Sequence, residues 1–372
     1  MRQRRIVLAF LILGLAHTAS AQKAHASVYD KAWKRVTDLY VNDKNPVVEK
    51  VLFTGRFQYD FNLLDADQGH RTEHNVRRMR VGPKITFLHT WTLHVEADLN
   101  PQEHDPFYAR LTDAYVQWSR NPKAVVTLGK HGVAFTMDGA TSSKELLTID
   151  RSNLANNIWF PQEYIPGASV SGKVNQWTYR GGFYSAGTAN RELGRFDGSV
   201  FYLASGGYDF KKPLKAKEAL LSVSYVHQPA NTHNTFTRQL EDVVSTNFKF
   251  ERKTWGLRAD VAAASGYLGQ GGLRSMMVMP FYNLTPKLQG VARYTYISSP
   301  VANGVRLATY ETRLASGRGD RYQETYVGAN YFVYGHKLKL QTGLQWTDLK
   351  DHTRGRSIFD GFSWTSGLRV GW

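Results

Sequence analysis

The sequence has no cysteine among its 372 residues. A protein that crosses an oxidising periplasm benefits from this absence, because it carries no thiols that could mispair. Beyond its first 21 residues the chain also lacks any stretch apolar enough to span a membrane as a helix, and its mean hydropathy is −0.41. Both absences suit a soluble exported protein. They suit a transmembrane β-barrel equally well, because alternating apolar and polar residues conceal a membrane face from hydropathy averages.

The first residues resemble an export signal. Three arginines within the first five residues precede an apolar run over 6–16, and Ala19-Ser20-Ala21 supplies the small residues that signal peptidase needs. The apolar run is shorter than the roughly 20 residues that a membrane-spanning helix requires, which argues against the alternative of an uncleaved anchor. We therefore expect a signal peptide over 1–21, cleaved before Gln22.

Acidic residues are scarce relative to basic ones. The chain has 31 Asp and Glu against 47 Lys and Arg, a formal net charge of +16. The three leader arginines account for three of these charges, so cleavage leaves +13. Such a balance implies anionic partners. An exported protein rarely meets nucleic acid, so small anions or the anionic surface of the outer-membrane lipid are the better candidates.

Period-two alternation recurs through the mature chain in about sixteen segments of roughly ten residues. One face of the segment at 51–61 is apolar and aromatic, and the other carries polar residues that include Arg56. The segment at 91–99 repeats this pattern. An aromatic content of 13% and 32 glycines favour a β-rich membrane protein.

The spacing of the connections separates a barrel from a soluble β-sandwich. Every second connection is short, and the intervening ones are long and polar, as expected of a barrel with short periplasmic turns and long extracellular loops. We therefore predict an all-β, transmembrane antiparallel β-barrel of about 16 strands over 48–372, preceded by a periplasmic segment over 22–47. The last segment ends in aromatic Trp372, which resembles a barrel-assembly signal. The predicted long loops are 62–73, 100–109, 132–165, 186–197, 228–240, 265–272, 298–319 and 348–358.

Several motifs between residues 76 and 172 resemble the phosphate-selective porin O/P family. They are the double-arginine run Val76-Arg77-Arg78-Met79-Arg80-Val81-Gly82, Leu111-Thr112-Asp113-Ala114-Tyr115-Val116, Leu128-Gly129-Lys130, Thr141-Ser142-Ser143-Lys144-Glu145 and Ile149-Asp150-Arg151-Ser152. The resemblance implies a homotrimer of sixteen-stranded barrels whose third loop, 132–165, folds inward and narrows the pore. The chain departs from the family at Ala134, where proline is frequent, and at Tyr164-Ile165-Pro166-Gly167, where an arginine is missing.

If the apolar face meets lipid, the charged residues of the strands point into the lumen. Guanidinium groups suit anion conduction because they stay charged and bind phosphate oxygens bidentately. We predict that ten basic residues line the pore or bind anions: Arg56, Arg78, Arg80, Lys84, Lys144, Arg151, Arg180, Arg258, Arg293 and Lys339.

The alternative is that lumen arginines only brace the wall by pairing with lumen acids. Arg80 should lie opposite Asp98 across a strand pair, since the two strands turn near residue 89. Acids also lie near two further arginines, Asp260 beside Arg258 and Asp60 beside Arg56. Arg180 and Arg293 have no obvious acidic neighbour and are therefore the better anion-facing candidates.

Enzymatic and metal-binding interpretations have less support. His94, Glu96 and Asp98 share one face, but basic residues on the facing strand make salt bridges the simpler explanation. We predict no enzyme activity, cofactor or metal. The sequence thus indicates an anion-preferring diffusion porin, with phosphate or polyphosphate as the suspected solute. The alternatives are a general porin for small solutes, a barrel enzyme or an envelope anchor.

Overall fold

The computed structural model describes residues 27–102, 105–158, 164–186, 192–194, 196, 199–232 and 238–372. The predicted signal peptide, 1–21, and the start of the predicted periplasmic segment lie outside these residues. Within them, no helix is long and apolar enough to cross a membrane.

Sixteen of the described strands form one closed antiparallel sheet, because each strand pairs with the next and the last pairs with the first. The prediction of a sixteen-stranded barrel is confirmed. Its strands are β2 (Val48–Ala66), β3 (Gly69–Phe87), β4 (Trp91–Leu99), β5 (Tyr108–Asn121), β6 (Ala124–Gly132), β7 (Tyr164–Val174), β8 (Trp177–Ser185), β9 (Val200–Asp209), β10 (Glu218–His227), β11 (Leu240–Glu251), β12 (Trp255–Gly266), β13 (Leu273–Asn283), β14 (Leu288–Ser298), β17 (Arg321–Tyr334), β18 (Leu338–Asp351) and β19 (Arg356–Gly371). Outside this ring are β1 (Asp38–Val41), the hairpin β15 (Val305–Arg306) and β16 (Arg318–Gly319), α1 (Val28–Thr37), α2 (Asn153–Ile158), α3 (Lys211–Leu214) and a 3₁₀ turn, Glu311–Arg313.

The burial of β14 shows why alternation defines the two faces of the wall. Val291, Arg293 and Thr295 are nearly fully buried and point inward, while the alternate residues Ala292, Tyr294 and Tyr296 lie on the outer face. Inward positions are buried whether they are apolar or charged. The lumen of the barrel is therefore largely filled.

The connections at one end are short turns. One of them consists of Asn175 and Gln176, and Asn175 has a φ of 54°, a left-handed conformation that asparagine tolerates.

At the other end, the expectation of a long loop over 62–73 is wrong. The first two barrel strands meet in a two-residue turn at Asp67 and Gln68. Likewise the predicted loop over 348–358 is reduced to residues 352–355. These strand ends have polar residues on both faces, so no alternation marks them as strands.

The third loop, residues 133–163, connects β6 to β7 and is described as far as residue 158. Its side chains Val133, Phe135 and Met137 are at most 2% exposed. They belong to one buried cluster with inward residues of the wall, among them Met277 and Phe281. This part of the loop therefore lies inside the barrel, and apolar packing fills one side of the lumen.

The N-terminal segment covers the seam between the first and last barrel strands. Helix α1 begins at the capping residue Ser27, whose hydroxyl accepts from the Asp30 backbone at 3.1 Å. The Trp33 indole donates to the carbonyl oxygen of Gly371 at 2.7 Å. Strand β1 pairs with residues 50–52 of β2. Strand β19 pairs with the following stretch of β2, which begins at Arg56. The segment therefore extends the sheet where β19 ends.

Candidate functional site

A cavity of about 430 Å³ lies inside the barrel, between the third loop and the wall formed by β3, β4 and β5. We call it the arginine cavity, because its lining, among the residues that the structure describes, includes six arginines and two carboxylates, Asp98 and Asp150. Six positive charges against two negative ones leave a balance of +4. The arginines are Arg77, Arg78, Arg80, Arg110, Arg151 and Arg238.

A β-bulge in β3 places three of these arginines on one side of the wall. Gln58 pairs with Arg78 and the next residue of β2 pairs with Val76, so Arg77 is the extra residue. Arg77 consequently turns toward the third loop, where its Nη2 lies 3.2 Å from a carboxylate oxygen of Asp150. Strict alternation predicts only Arg78 and Arg80 inside and misses Arg77. Consecutive arginines in a lipid-facing strand are the signal that could have revealed the bulge, because a charge facing lipid is costly.

The wall arginines of the cavity bond to both neutral and acidic side chains. Arg78 donates to the side-chain oxygen of Gln58 at 2.9 Å. Arg80 donates to the Tyr164 hydroxyl at 2.6 Å and lies 3.5 Å from Asp98. Asp98 is also 3.6 Å from Arg110. The predicted register between Arg80 and Asp98 is confirmed, but one carboxylate serves two guanidinium groups there.

Loops supply the other two arginines of the cavity. Arg151 donates to the main-chain oxygens of Asp138 at 2.8 Å and Thr141 at 3.0 Å. Arg238 donates to the main-chain oxygen of Asn156 at 2.8 Å. These bonds to main-chain oxygens fix the orientation of both guanidinium groups.

The outer end of the cavity holds further positive charge. In the small hairpin, Arg306 lies opposite Arg318. Burial, and then the charges of Arg306 and Arg318, lower the pKa of Arg238 to about 9. Burial and Arg318 also lower the pKa of Arg306 to about 10. Positive charge is therefore concentrated at this end of the cavity.

Four of the predicted residues hold the third loop against the wall. Arg56 donates to the Ser143 hydroxyl at 2.7 Å, and Lys144 donates to the main-chain oxygen of Trp372 at 2.8 Å. Lys339, which is fully buried, donates to the main-chain oxygen of Leu146 at 2.6 Å.

The fourth, Arg293, bonds to the Thr148 hydroxyl at 2.7 Å and to the Asp150 carbonyl at 2.8 Å. The expectation that Arg293 has no acidic neighbour is wrong, because its Nε lies 2.7 Å from Glu324. Glu324 is on the adjacent strand, two residues from the register partner of Arg293, Tyr326. The small hairpin separates these strands in sequence and hides the pair.

Two expected wall pairs have other partners. Arg56 lies 3.2 Å from Glu96 instead of contacting Asp60. Asp60 accepts from Arg369 and from the Tyr310 hydroxyl.

Arg258 lies 2.7 Å from Glu218 and 3.5 Å from Glu251, rather than beside Asp260. Asp260 accepts from the backbone of Met137 at 2.7 Å and thereby anchors the third loop. Arg258 and its two partners line a wider cavity of about 1,030 Å³ toward the short-turn end, the inner vestibule.

The remaining two predicted residues stand apart from the arginine cavity. Arg180 faces inward on β8 opposite Ser171 and Ser205, and it makes no ion pair with any residue in the described ranges. Lys84 lies opposite His94 on the neighbouring strand. His94 bonds to the Thr54 hydroxyl at 3.1 Å.

No group of three or more His, Asp or Glu residues within the described part of the chain is arranged to hold a metal ion.

Comparisons with known proteins identify the architecture. The family model of phosphate-selective porin O and P matches residues 51–212. None of the curated proteins compared with the chain matches it. The fold is similar to the anion-selective porin from Comamonas acidovorans, at 12% identity, a TM-score of 0.60 and coverage of 87% of this chain and 99% of that one. It is also similar to the outer membrane channel DcaP of Acinetobacter baumannii, at 12% identity, a TM-score of 0.59 and coverage of 87% and 97%.

A third structure, Pseudomonas putida OprB, has 9% identity and a TM-score of 0.63, covering 87% of this chain and 94% of that one. At these identities the structures establish the fold alone, and the family model supplies the class. The family match over residues 51–212 indicates a channel rather than an enzyme. Over residues 51–212 the chain matches the phosphate-selective porin O and P family, and its fold is that of outer-membrane porins.

Proposed function

We propose that this porin conducts anions in preference to cations and binds a phosphate-class anion in the arginine cavity. The observation that carries the proposal is the surplus of arginine over carboxylate among the described residues that line this cavity of about 430 Å³. In a confined passage of low dielectric constant, such a surplus attracts anions more strongly than it would in bulk water. It repels cations for the same reason.

The type of residue favours phosphate over chloride. A guanidinium group presents a planar fork of donors that matches two oxygens of a phosphate. Arg110 shares a carboxylate with Arg80, and Arg238 bonds to a main-chain oxygen, so an entering anion adds charge compensation at both. Several sites of moderate affinity also suit conduction better than one deep site, because the ion must leave again.

The third loop forms the constriction in this proposal. Its inward position depends on contacts with two separate parts of the wall, since Asp260 on β12 binds the backbone of Met137 while Lys339 on β18 binds that of Leu146. The loop thus divides the arginine cavity on one side from the inner vestibule on the other. The remaining parts of the proposal are a cleaved signal peptide over 1–21, a homotrimeric assembly and contact with outer-membrane lipid.

Phosphate block of chloride current tests the proposed site. In planar bilayers, phosphate should reduce the chloride current of the wild type. Arg110→Gln removes one cavity cation, and Arg80 can still bind Asp98 in this variant. We expect the half-blocking phosphate concentration to rise about tenfold, corresponding to about 1.4 kcal/mol. The matched control is Arg120→Gln, an exposed arginine near a short turn.

An unchanged half-blocking concentration in Arg110→Gln would contradict the location of the site. Absence of any phosphate block in the wild type would leave the alternative, a general porin for small solutes. Absence of solute flux in liposome swelling would contradict the channel itself and favour an envelope anchor.

A further inference from the structure

The outer surface of the barrel carries a row of basic residues at the long-loop end. Arg274 pairs in register with Ser298, which pairs with Arg321 on the next strand. Beyond Arg321 the row continues to Lys350. All three basic residues are exposed and alternate with buried neighbours, so they point away from the lumen. This row is separate from the arginine cavity.

The two arginines of the row have no partner to neutralise them. Neither Arg274 nor Arg321 forms an ion pair or a side-chain hydrogen bond with any residue that the structure describes. Lys350 differs, since it lies 2.9 Å from Asp348. Strands are about 4.8 Å apart, so the two arginines flank Ser298 at a separation of roughly 10 Å. A single large anionic headgroup can reach both.

The level of the row corresponds to the outer edge of the membrane. Tyr294 and Tyr296 lie on the outer face of β14, just below Ser298 toward the short turns. Outward aromatic residues mark the interface between the hydrocarbon core and the headgroups in outer-membrane barrels. Charged residues one step beyond this belt therefore lie among the headgroups of the outer leaflet.

A groove of about 710 Å³ opens on the same outer surface beside Arg274. Its lining includes Ala263, Ser265 and Pro300. The depression exists because the side chains of Ala263 and Ser265 are small. Asp242 lies in the same groove, but its carboxylate accepts from Tyr225 at 2.6 Å and His227 at 2.9 Å. The groove thus joins an apolar floor to a basic rim.

We infer that this surface binds a phosphorylated lipid of the outer leaflet. The guanidinium groups of Arg274 and Arg321, with the hydroxyl of Ser298 between them, would hold the phosphate-bearing headgroup, and an acyl chain would lie in the groove. Free phosphate would have no use for an apolar groove, so the lipid is the occupant that fits both features. The inference depends on the barrel's orientation in the membrane and not on the selectivity of its pore.

Native mass spectrometry with purified diphosphorylated lipid A tests the inference. We expect wild-type porin in detergent to bind this lipid at least ten times more tightly than the double variant Arg274→Gln/Arg321→Gln. Arg120→Gln, a matched exchange near a short turn at the opposite edge, should bind it like the wild type. Because the changed residues are exposed and unpaired, the double variant should fold normally. Wild-type protein should also bind dephosphorylated lipid A at least tenfold more weakly, which tests the inference without any variant.

Equal lipid A affinity of the wild type and the double variant would overturn the inference. So would equal affinity of the wild type for the phosphorylated and dephosphorylated lipids. If the double variant instead changed the number of subunits while its lipid affinity stayed the same, the surface would be an interface between copies of the chain, and the lipid assignment would be wrong.

Discussion

Removing Arg293 alone should strongly destabilise the barrel, because this residue pairs with the buried Glu324 on the neighbouring strand and also holds the third loop. The two side chains are 2% and 1% exposed, and their nearest charged atoms are 2.7 Å apart. Replacing Arg293 by Met leaves Glu324 buried without its cation, a change that costs about 3–5 kcal/mol. The bonds to Thr148 and Asp150 are also lost, so the loop should loosen at the edge of the arginine cavity.

The double variant Arg293→Met/Glu324→Leu separates the two contributions. Replacing a buried pair by apolar residues of similar volume is often neutral or stabilising, so the second substitution should restore at least about 2 kcal/mol. Urea unfolding in lipid vesicles, followed by tryptophan fluorescence, measures the free energy of unfolding for both variants. Single-channel recordings should show a noisier current in both, because both have lost the bonds to the loop. A single variant within about 1 kcal/mol of wild type, or a double variant no more stable than the single one, would refute this reasoning.

Three other substitutions probe separate features. Lys339→Met should make the third loop more accessible to protease, because it removes the bond to the Leu146 carbonyl. An unchanged cleavage rate would show that this bond does not anchor the loop. Gly82→Ala should reduce the yield of folded barrel, because its Cβ would lie 1.9 Å from the Val95 carbonyl oxygen. Electrophoresis without boiling measures this effect as an increase in the fraction that migrates as unfolded protein. Trp33→Ala should lower the free energy of unfolding by about 1–3 kcal/mol in urea titrations, because it leaves the Gly371 carbonyl at the seam without its donor. Wild-type stability of this variant would mean that α1 is dispensable.

The barrel could be predicted from the sequence because its physical cause is local. A strand between lipid and a polar interior must alternate, and β14 does so from Ala292 to Tyr296. The first hairpin could not be predicted in full, because beyond the membrane neither face of β2 or β3 needs to be apolar. Its strands therefore continue where alternation ends, up to the turn at Asp67 and Gln68.

The candidate site was only partly predictable. Arg78 and Arg80 follow from alternation, but Arg77 depends on a bulge that shifts the register by one residue. The partner of Arg293 depends on strands that an intervening hairpin separates in the chain. Arg238 enters the cavity from a distant loop, and nothing in its local sequence marks that position.

The reversal potential under a potassium chloride gradient tests the central claim most directly. With purified protein in a planar bilayer, the surplus of arginine in the cavity predicts a potential of anion-selective sign. The preference should weaken at high salt, because screening shortens the reach of the charges. A potential showing preference for potassium over chloride would contradict the account.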